Sequence, residues 1–204
     1  MRVEIISATP CPVDVISLAA GVCYGKRDVS EKRVSNCYKA GHMSVFEHAS
    51  VTVKVEGVSR ACMAQLTRHR LCSFCVESQR YNRYDLSGDD WCVIPPAFNE
   101  SEDSRDNFNL VAGACAYEYM AALDMGIKPE DARYLLPEAT KTNLVMTCNV
   151  RELFHIFAMR CDKAAQWEIR ELAETMRDQV ADISEQWRKV MELEKLITTV
   201  KVTE

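Results

Sequence analysis

Three arginines and a histidine are concentrated between residues 68 and 80, in the segment RHRLCSFCVESQR. A guanidinium group is planar and donates hydrogen bonds in a fork, which suits bidentate recognition of phosphate or of a carbonyl-rich ring. The whole chain carries a net charge of −5, so this segment concentrates positive charge within an acidic protein. Two interpretations stand here: the segment binds an anionic partner, or its arginines form salt bridges at a helix end.

A second group of polar residues lies between Asn149 and Arg160. On a helix, Arg151 and His155 are neighbours because they are four residues apart. Arg160 lies about half a turn round the helix from Arg151, on the same face as the apolar Phe157. An arginine among apolar residues must be paired or must meet an anionic ligand, and the sequence leaves both alternatives open.

Cys72 and Cys75 form a C-x-x-C pair, but no second pair at matching spacing exists to complete a structural zinc site. The pair follows a predicted helix end instead of opening a helix, unlike a redox-active dithiol. We therefore expect no metal site and interpret both cysteines as packing residues. His42, Glu47 and His48 could act as general acid and base or could form a polar junction. The glycine-rich loops that hold nucleotide phosphates, G-x-G-x-x-G and G-K-[ST], are absent.

Length and composition predict a single domain spanning residues 1–204, because a chain of this size with 48% hydrophobic residues can bury a sizeable core. A pI near 5.5 argues against a general nucleic-acid binder. Neither a signal sequence nor an apolar run of about 20 residues is present. We expect a cytoplasmic protein without membrane contact, whose ten cysteines are reduced thiols.

Periodicity and capping signals predict the elements that position these residues. Val51, Val53 and Val55 alternate with polar residues, which is typical of a strand with one buried face. The predicted strands cover residues 3–7, 51–55, 91–94 and 143–148, with a loop at 71–90. The predicted helices cover 12–20, the segment from a capping box at Asp28 to Gly41, the segment after Ser59, residues 102–125, a short turn at Pro129, and the segments after Asn149 and Asp162. An apolar ladder from Ala165 to Val190 indicates one long final helix.

The ordered motifs resemble those of the flavin-dependent thymidylate synthases. Arg-His-Arg followed after seven residues by Ser78 is similar to that family's signature. The segments 41–48 (GHMSVFEH), 133–137 (RYLLP) and 149–169 resemble its other conserved elements and follow in family order. The resemblance covers roughly residues 19–173. It implies an α/β (α+β) fold with a central, mostly antiparallel sheet flanked by long helices.

The resemblance also implies a chemistry. Members of this family use FAD to convert dUMP to dTMP, with 5,10-methylenetetrahydrofolate as carbon donor and NADPH as reductant. They are homotetramers whose active sites are shared between subunits. The arginines fit this role because FAD carries a pyrophosphate and dUMP a phosphate. The flavin supplies the hydride, so a strong protein nucleophile is not required.

The resemblance assigns roles residue by residue. The expected FAD contacts are Ser44, Glu47, Arg68, His69, Arg70, Leu71, Val76, Asn149, Val150, Arg151 and His155. The expected dUMP contacts are Gln65, Leu66, Thr67, Arg68, Val76, Glu77, Ser78, Gln79, Arg80, Arg133 and Arg160. Arg160 is the expected catalytic residue, placed against the uracil so that it favours ionisation at N3.

Three features depart from the family pattern. The loop before Ser78 has Cys75, Val76 and Glu77 where many members have an asparagine followed by glutamate or glutamine. Ala164 stands where some members carry a flavin-contacting histidine, and His155 stands where others carry asparagine. The alternative function is a non-catalytic nucleotide-binding or RNA-binding oligomer that uses the same arginine cluster.

Overall fold

The chain begins with a strand, mixes helices and strands in its first third, and closes with long helices. A computed structural model describes residues 1–84, 86, 88 and 90–198, with side chains as far as residue 193. The strands are β1 (Arg2–Ala8), β2 (Ser50–Ser59), β3 (Ser73–Val76) and β4 (Lys141–Asn149). The helices are α1 (Pro12–Val22), α2 (Glu31–Lys39), α3 (Arg60–Leu66), α4 (Glu102–Asp124), α5 (Pro129–Ala132), α6 (Val150–Arg160), α7 (Trp167–Asp182) and α8 (Glu185–Thr198). Short 3-10 helices lie at Met43–His48, Pro96–Asn99 and Arg133–Leu135.

The four strands form one sheet in the order β1-β2-β4-β3. The sheet is mostly antiparallel, which confirms the predicted fold class. The alternation along β2 is also confirmed, because Val51, Val53 and Val55 are all buried. Polar residues between them are partly exposed, as expected for a strand that packs one face on a core.

The chain divides into two compact units, each with its own core. The first unit comprises residues 1–55, 67–74 and 145 onward, and the second comprises 56–66 and 75–144. The first contains an aromatic cluster in which the rings of Tyr38, Phe46 and Phe154 meet edge to face. The core of the second is built on Tyr119 and its neighbours along α4 and α5.

Helix α2 begins at a different cap from the predicted one. The hydroxyl of Ser30 accepts a hydrogen bond from the backbone N–H of Arg33 at 3.3 Å, so Ser30 is the N-cap. The carboxylate of Asp28 instead pairs with the Arg33 side chain at 3.0 Å. The predicted end of the helix is confirmed by Gly41, whose φ of +72° lies in the left-handed region that favours glycine.

The predicted single helix at the carboxyl end is two helices, α7 and α8. Gln166 caps α7 through its side-chain oxygen, so the predicted cap Asp162 was wrong. Ser184 interrupts the ladder and accepts a hydrogen bond from the N–H of Trp187 at 3.2 Å. The apolar ladder still faces inward, because α7 and α8 both turn their apolar side toward the core. The indole N–H of Trp187 donates to the backbone oxygen of Thr9 at 2.9 Å.

Other differences from the predicted elements lie in the second unit or at its strand ends. The predicted loop at 71–90 contains the strand β3. A segment of four residues with mixed polarity is too short to show a recognisable strand pattern. The predicted strand at 91–94 is reduced to an isolated bridge between Cys92 and Thr140. The helical pattern of α4 predicts a buried stripe that includes Val111 and Tyr119; Tyr119 is buried, together with Ala112 and Ala116, but Val111 is exposed. Among the described residues, no helix is long and apolar enough to cross a membrane.

Candidate functional site

Helix α6 carries four of the predicted site residues, and its start is held by two local contacts. The side-chain oxygen of Asn149 accepts a hydrogen bond from the backbone N–H of Glu152 at 3.0 Å, as its predicted cap role requires. The backbone N–H of Val150 donates to Ala49 at the start of β2 at 2.9 Å. Phe157 is buried, as predicted. The helix is therefore anchored at its first turn, with its polar residues at defined positions.

The 3-10 helix at Met43–His48 lies against α6 and brings Glu47 to Arg151. Their side chains form an ion pair with a 2.5 Å separation between the guanidinium Nη1 and the carboxylate Oε1. Both side chains remain about half exposed, at 48% and 43%. Phe46 is completely buried and packs edge to face against Tyr38 and Phe154, which fixes the orientation of this short helix. Glu47 is thus bound to an arginine and not to His42 or His48, which favours the polar-junction interpretation of that trio.

His69 is the buried centre of the predicted flavin set. Its side chain is 3% exposed, and its two ring nitrogens have different partners. The Nε of Arg160 donates to Nε2 of His69 at 3.0 Å. Because a guanidinium nitrogen only donates, Nε2 is the acceptor and the ring proton resides on Nδ1. Nδ1 faces Oε1 of Glu152 at 3.4 Å.

Burial sets the charge state of this group. Loss of water around the ring, and then the positive charge of Arg160 and the neighbouring His155, lower the pKa of His69 to about 4. His69 is therefore neutral near pH 7, in agreement with its role as acceptor from Arg160. Burial also raises the pKa of Glu152, and the charges of His155 and Arg151 oppose that rise.

His69, Glu152 and His155 place one ligand atom each within 4.8 Å of one another, a spacing that could accommodate a metal ion. The rings of His69 and His155 meet edge to face at a centroid distance of 5.5 Å. The guanidinium of Arg160 already occupies the other nitrogen of His69 and repels a second cation. The cluster is better suited to hydrogen bonding with a polar or anionic ligand.

The two arginines that flank His69 project outward. Arg68 and Arg70 are exposed, and neither has an ion-pair partner among the residues that the structure describes. Leu71 is likewise 66% exposed. For these two arginines, the salt-bridge interpretation has no support in the described part of the chain. They present positive charge to solvent beside a neutral, buried histidine.

The second unit gathers most of the predicted nucleotide set. The Nε of Arg80 forms an ion pair with Glu130 at 2.6 Å, and the Nε of Arg133 donates to the backbone oxygen of Glu130 at 3.0 Å. Gln79 and Arg133 both line a cavity of about 380 Å³. The hydroxyl of Ser78 accepts a hydrogen bond from the backbone N–H of Arg80 at 3.2 Å, which shapes the turn. For Arg80, the ion-pair interpretation holds in the structure.

Arg60 is a residue that the sequence did not single out. Its Nη2 donates to the backbone oxygen of Glu77 at 2.8 Å and to the hydroxyl of Tyr84 at 3.1 Å. Its Nε is buried without a hydrogen-bond partner in the described part of the chain, and its side chain lines the same cavity as Gln79. The carboxylate of Glu77 is held by the side-chain amide of Asn143 at 2.8 Å. No sequence signal marks Arg60, because it follows a strand as one arginine among many.

The predicted residues therefore separate by unit. The first unit contains the FAD set except Val76, together with Thr67, Arg68 and Arg160 of the dUMP set. The second contains Gln65, Leu66, Arg133 and residues 76–80. The side chains of Leu66 and Val150 are completely or almost completely buried, so only their backbone groups are available to a ligand. Val76 is partly exposed on β3.

Residues 4–184 match the protein family described as thymidylate synthase complementing protein. The flavin-dependent thymidylate synthase of Geobacter sulfurreducens is 40% identical over 188 residues, which cover 86% of this chain and 80% of that relative. The enzyme of the same name from Pyrococcus furiosus is 35% identical over 194 residues, covering 89% of this chain and 79% of the relative.

Two crystal structures share the fold. One is of ThyX from Helicobacter pylori complexed with FAD and dUMP, with a TM-score of 0.72, 24% identity, and coverage of 87% of this chain and 93% of that one. The other is of the UMP/dUMP methylase PolB from Streptomyces cacaoi bound with 5-Br dUMP, with a TM-score of 0.79, 24% identity and coverage of 94% of each chain.

Proposed function

The chain belongs to the family of flavin-dependent thymidylate synthases, and we propose which of its residues perform that activity. As a member of the family it is an FAD-dependent enzyme that methylates dUMP to dTMP. One observation carries the assignment of residues. Arg160 of α6 and the buried His69 of the Arg-His-Arg segment, 91 positions apart, are joined by a hydrogen bond. Two separate family motifs thus meet at one place.

The residues of the first unit suit a flavin dinucleotide. Exposed Arg68 and Arg70, together with Arg151, offer directional donors for a pyrophosphate. The exposed His155 offers ring nitrogens at which a flavin ring can hydrogen bond, whereas the buried, neutral His69 is held between Arg160 and Glu152 and adds no charge to the site. We assign FAD binding to the predicted set: Ser44, Glu47, Arg68, His69, Arg70, Leu71, Val76, Asn149, Val150, Arg151 and His155. When bound, FAD supplies the hydride of the reductive methylation.

The residues of the second unit suit the phosphate of dUMP. The guanidinium of Arg80 binds the carboxylate of Glu130 and that of Arg133 donates to the backbone oxygen of the same residue, so Glu130 holds the two guanidinium groups close together before an anion arrives. A phosphate would gain from both cations, because charge-assisted hydrogen bonds are stronger than neutral ones. We assign dUMP binding to Gln65, Leu66, Thr67, Arg68, Val76, Glu77, Ser78, Gln79, Arg80, Arg133 and Arg160.

Arg160 is the proposed catalytic residue. Its Nε is directed at His69, and because His69 is neutral this hydrogen bond does not cancel the positive charge of the guanidinium. Placed against the uracil carbonyl edge, that charge favours loss of the N3 proton and stabilises negative charge that develops on the ring. The ring then becomes electron-rich enough for C5 to accept the one-carbon group.

The remaining partners are proposed on family grounds with support from the surface of α4. We propose 5,10-methylenetetrahydrofolate as carbon donor, NADPH as reductant, a homotetramer with shared active sites, and a cytoplasmic location. Leu110, Val111 and Tyr117 on α4 are all more than half exposed. An apolar helix face of this kind is what an oligomer buries, so it supports assembly.

The purified protein should be yellow and should release tritium from [5-³H]dUMP when the folate and NADPH are supplied. Arg160→Ala should lower kcat by at least about 100-fold, the usual cost of removing a group that stabilises developing charge. The matched control is Arg177→Ala, because Arg177 pairs only weakly with its neighbour Asp178 on α7, at 3.3 Å.

The outcomes separate the hypotheses. Intact turnover in Arg160→Ala would show that the catalytic assignment is wrong. A colourless protein that cannot be reconstituted with FAD and binds RNA in a salt-sensitive manner would favour the alternative nucleic-acid-binding function.

A further inference from the structure

Cys72 and Cys148 are two cysteines to which the proposed function assigns no role. The structure contains them as free thiols, Cys148 buried and Cys72 partly exposed. The interaction with the side chain of Cys72, and then burial, raise the pKa of the Cys148 thiol well above its ordinary value, so the two side chains lie close together, and both belong to the first unit. Cys75 is the neighbour of Cys72 in the C-x-x-C spacing, whereas Cys148 is the cysteine that lies close to Cys72 in the structure.

The strand register gives the same pairing independently. The backbone N–H of Glu77, just after β3, donates to the oxygen of Asn143 on the adjacent β4 at 2.8 Å. In an antiparallel ladder such residues are directly opposite each other. Continuing this register five residues back from Glu77, to the residue just before β3, and five residues on from Asn143 brings Cys72 opposite Cys148. Two separate observations therefore place these cysteines face to face.

The geometry of that position suits a disulfide. Opposed pairs alternate between hydrogen-bonded and non-hydrogen-bonded types, and an odd number of steps from the Glu77–Asn143 pair gives the non-hydrogen-bonded type. The Cα atoms of such a pair are about 4.5 Å apart, and disulfides span about 4.4–6.8 Å. Cys75, by contrast, is three residues from Cys72 along an extended chain, about 10 Å away and on the opposite face.

We propose that Cys72 and Cys148 form a reversible disulfide when the protein meets an oxidising small-molecule disulfide such as oxidised glutathione. The partly exposed Cys72 is the entry point. Its thiolate attacks one sulfur of the oxidant, which releases one thiol and leaves a mixed disulfide. The thiolate of Cys148 then attacks the Cys72 sulfur, which releases the second thiol. Two protein thiols are oxidised, one small disulfide is reduced to two thiols, and the protons pass to the released thiolates.

The position of this bond gives it a consequence beyond the two cysteines. Cys72 lies three residues after His69, and Cys148 immediately precedes Asn149, the cap of α6. The cross-link therefore ties the Arg-His-Arg segment to the first turn of α6. By the proposed function this site holds a redox cofactor. The cross-link would make the covalent structure of the site depend on the redox state of the surrounding thiols. The chemistry of the disulfide itself does not depend on that function.

The test uses the reduced full-length protein, treated with increasing oxidised glutathione, alkylated to trap free thiols and digested for mass spectrometry. We expect the free-thiol count to fall by two from ten, a linked peptide pair that contains Cys72 and Cys148, and full reversal by dithiothreitol. Cys75→Ser should behave as the native protein. Cys72→Ser should lose the linked pair, and its unfolding midpoint should not rise on oxidation, whereas that of the native protein should.

Two results would overturn the proposal. One is a glutathione adduct that persists on Cys72 while Cys148 stays free, and the other is a Cys72–Cys75 link. Cys148→Ala provides a second loss variant, chosen because alanine leaves no unpaired polar group in the buried position. Because Cys72→Ser lies at a partly exposed site, it keeps the test decisive if Cys148→Ala fails to fold.

Discussion

Replacing His69 by glutamine should make the stability of the flavin-free protein less sensitive to acid. In the folded state, burial and the charge of Arg160 hold the pKa of His69 at about 4, against an ordinary value of 6.5. At a pH between these two values, the His69 side chain binds a proton in the unfolded chain but not in the folded chain. The free energy of unfolding of the native protein therefore falls as the pH drops below 6.5, and the loss is complete below about pH 4.

The size of the effect follows from the two pKa values. Lowering the pH from 7.5 to 5 should cost about 2 kcal/mol through His69 alone, and the full difference in pKa corresponds to about 3 kcal/mol. Glutamine does not titrate, so this loss should be absent from His69→Gln. The raised pKa of Glu152 acts in the opposite direction, because the folded state then keeps a proton at a pH where the unfolded state releases it. Glu152 is present in both proteins, so the difference between them reports on His69.

Urea unfolding at pH 7.5 and pH 5 measures this difference directly. His48→Gln is the matched control, because His48 is exposed and its loss should leave the acid sensitivity of the native protein in place. An NMR titration of the folded protein provides a second readout, since only four histidine signals must be separated. If the signal that disappears in His69→Gln titrates near pH 6.5, or if both proteins lose stability equally, the argument from burial fails.

Other predictions concern groups that the tertiary structure positions. Arg60→Met removes the donor that holds the Glu77 carbonyl, so the KM for dUMP should rise about tenfold with little change in kcat; steady-state kinetics would contradict this if KM stayed the same. Trp187→Phe leaves the partly buried carbonyl of Thr9 without its donor and should cost about 1–3 kcal/mol in urea unfolding; a cost near zero would refute the importance of that bond. Gly41→Ala should destabilise by about 1 kcal/mol because its φ is +72°, whereas Gly113→Ala, in the open on α4, should stabilise by a similar amount. Equal shifts in the two unfolding midpoints would contradict the backbone argument.

Local signals in the sequence predicted much of the fold because they act within a few residues. Ser59 was expected to cap α3, and its hydroxyl does accept a hydrogen bond from the N–H of Cys62 at 3.0 Å. Asn149 caps α6 in the same way. The long helix before Gly126 ends where a glycine with positive φ permits it, within a residue or two of the predicted end.

Errors arose where a local pattern had more than one solution. The ladder from Ala165 to Val190 is compatible with one helix or with two that turn the same face inward, and only packing selects the second. Strand β3 is too short for its periodicity to be recognised, and it forms because β4 supplies its backbone partners.

The ordered motifs in the sequence determined the family, because residue types that bind phosphate and flavin recur there at characteristic spacings. The sequence also indicated that Arg160 shares a helix face with buried residues and either needs a partner or meets an anionic ligand. Only the tertiary structure decided that this partner includes His69, that Arg60 supports the loop before Ser78, and that Cys72 faces Cys148 instead of Cys75. Each of these contacts joins residues far apart in the chain or on different strands. Such contacts depend on sheet register and helix packing, which no local spacing specifies.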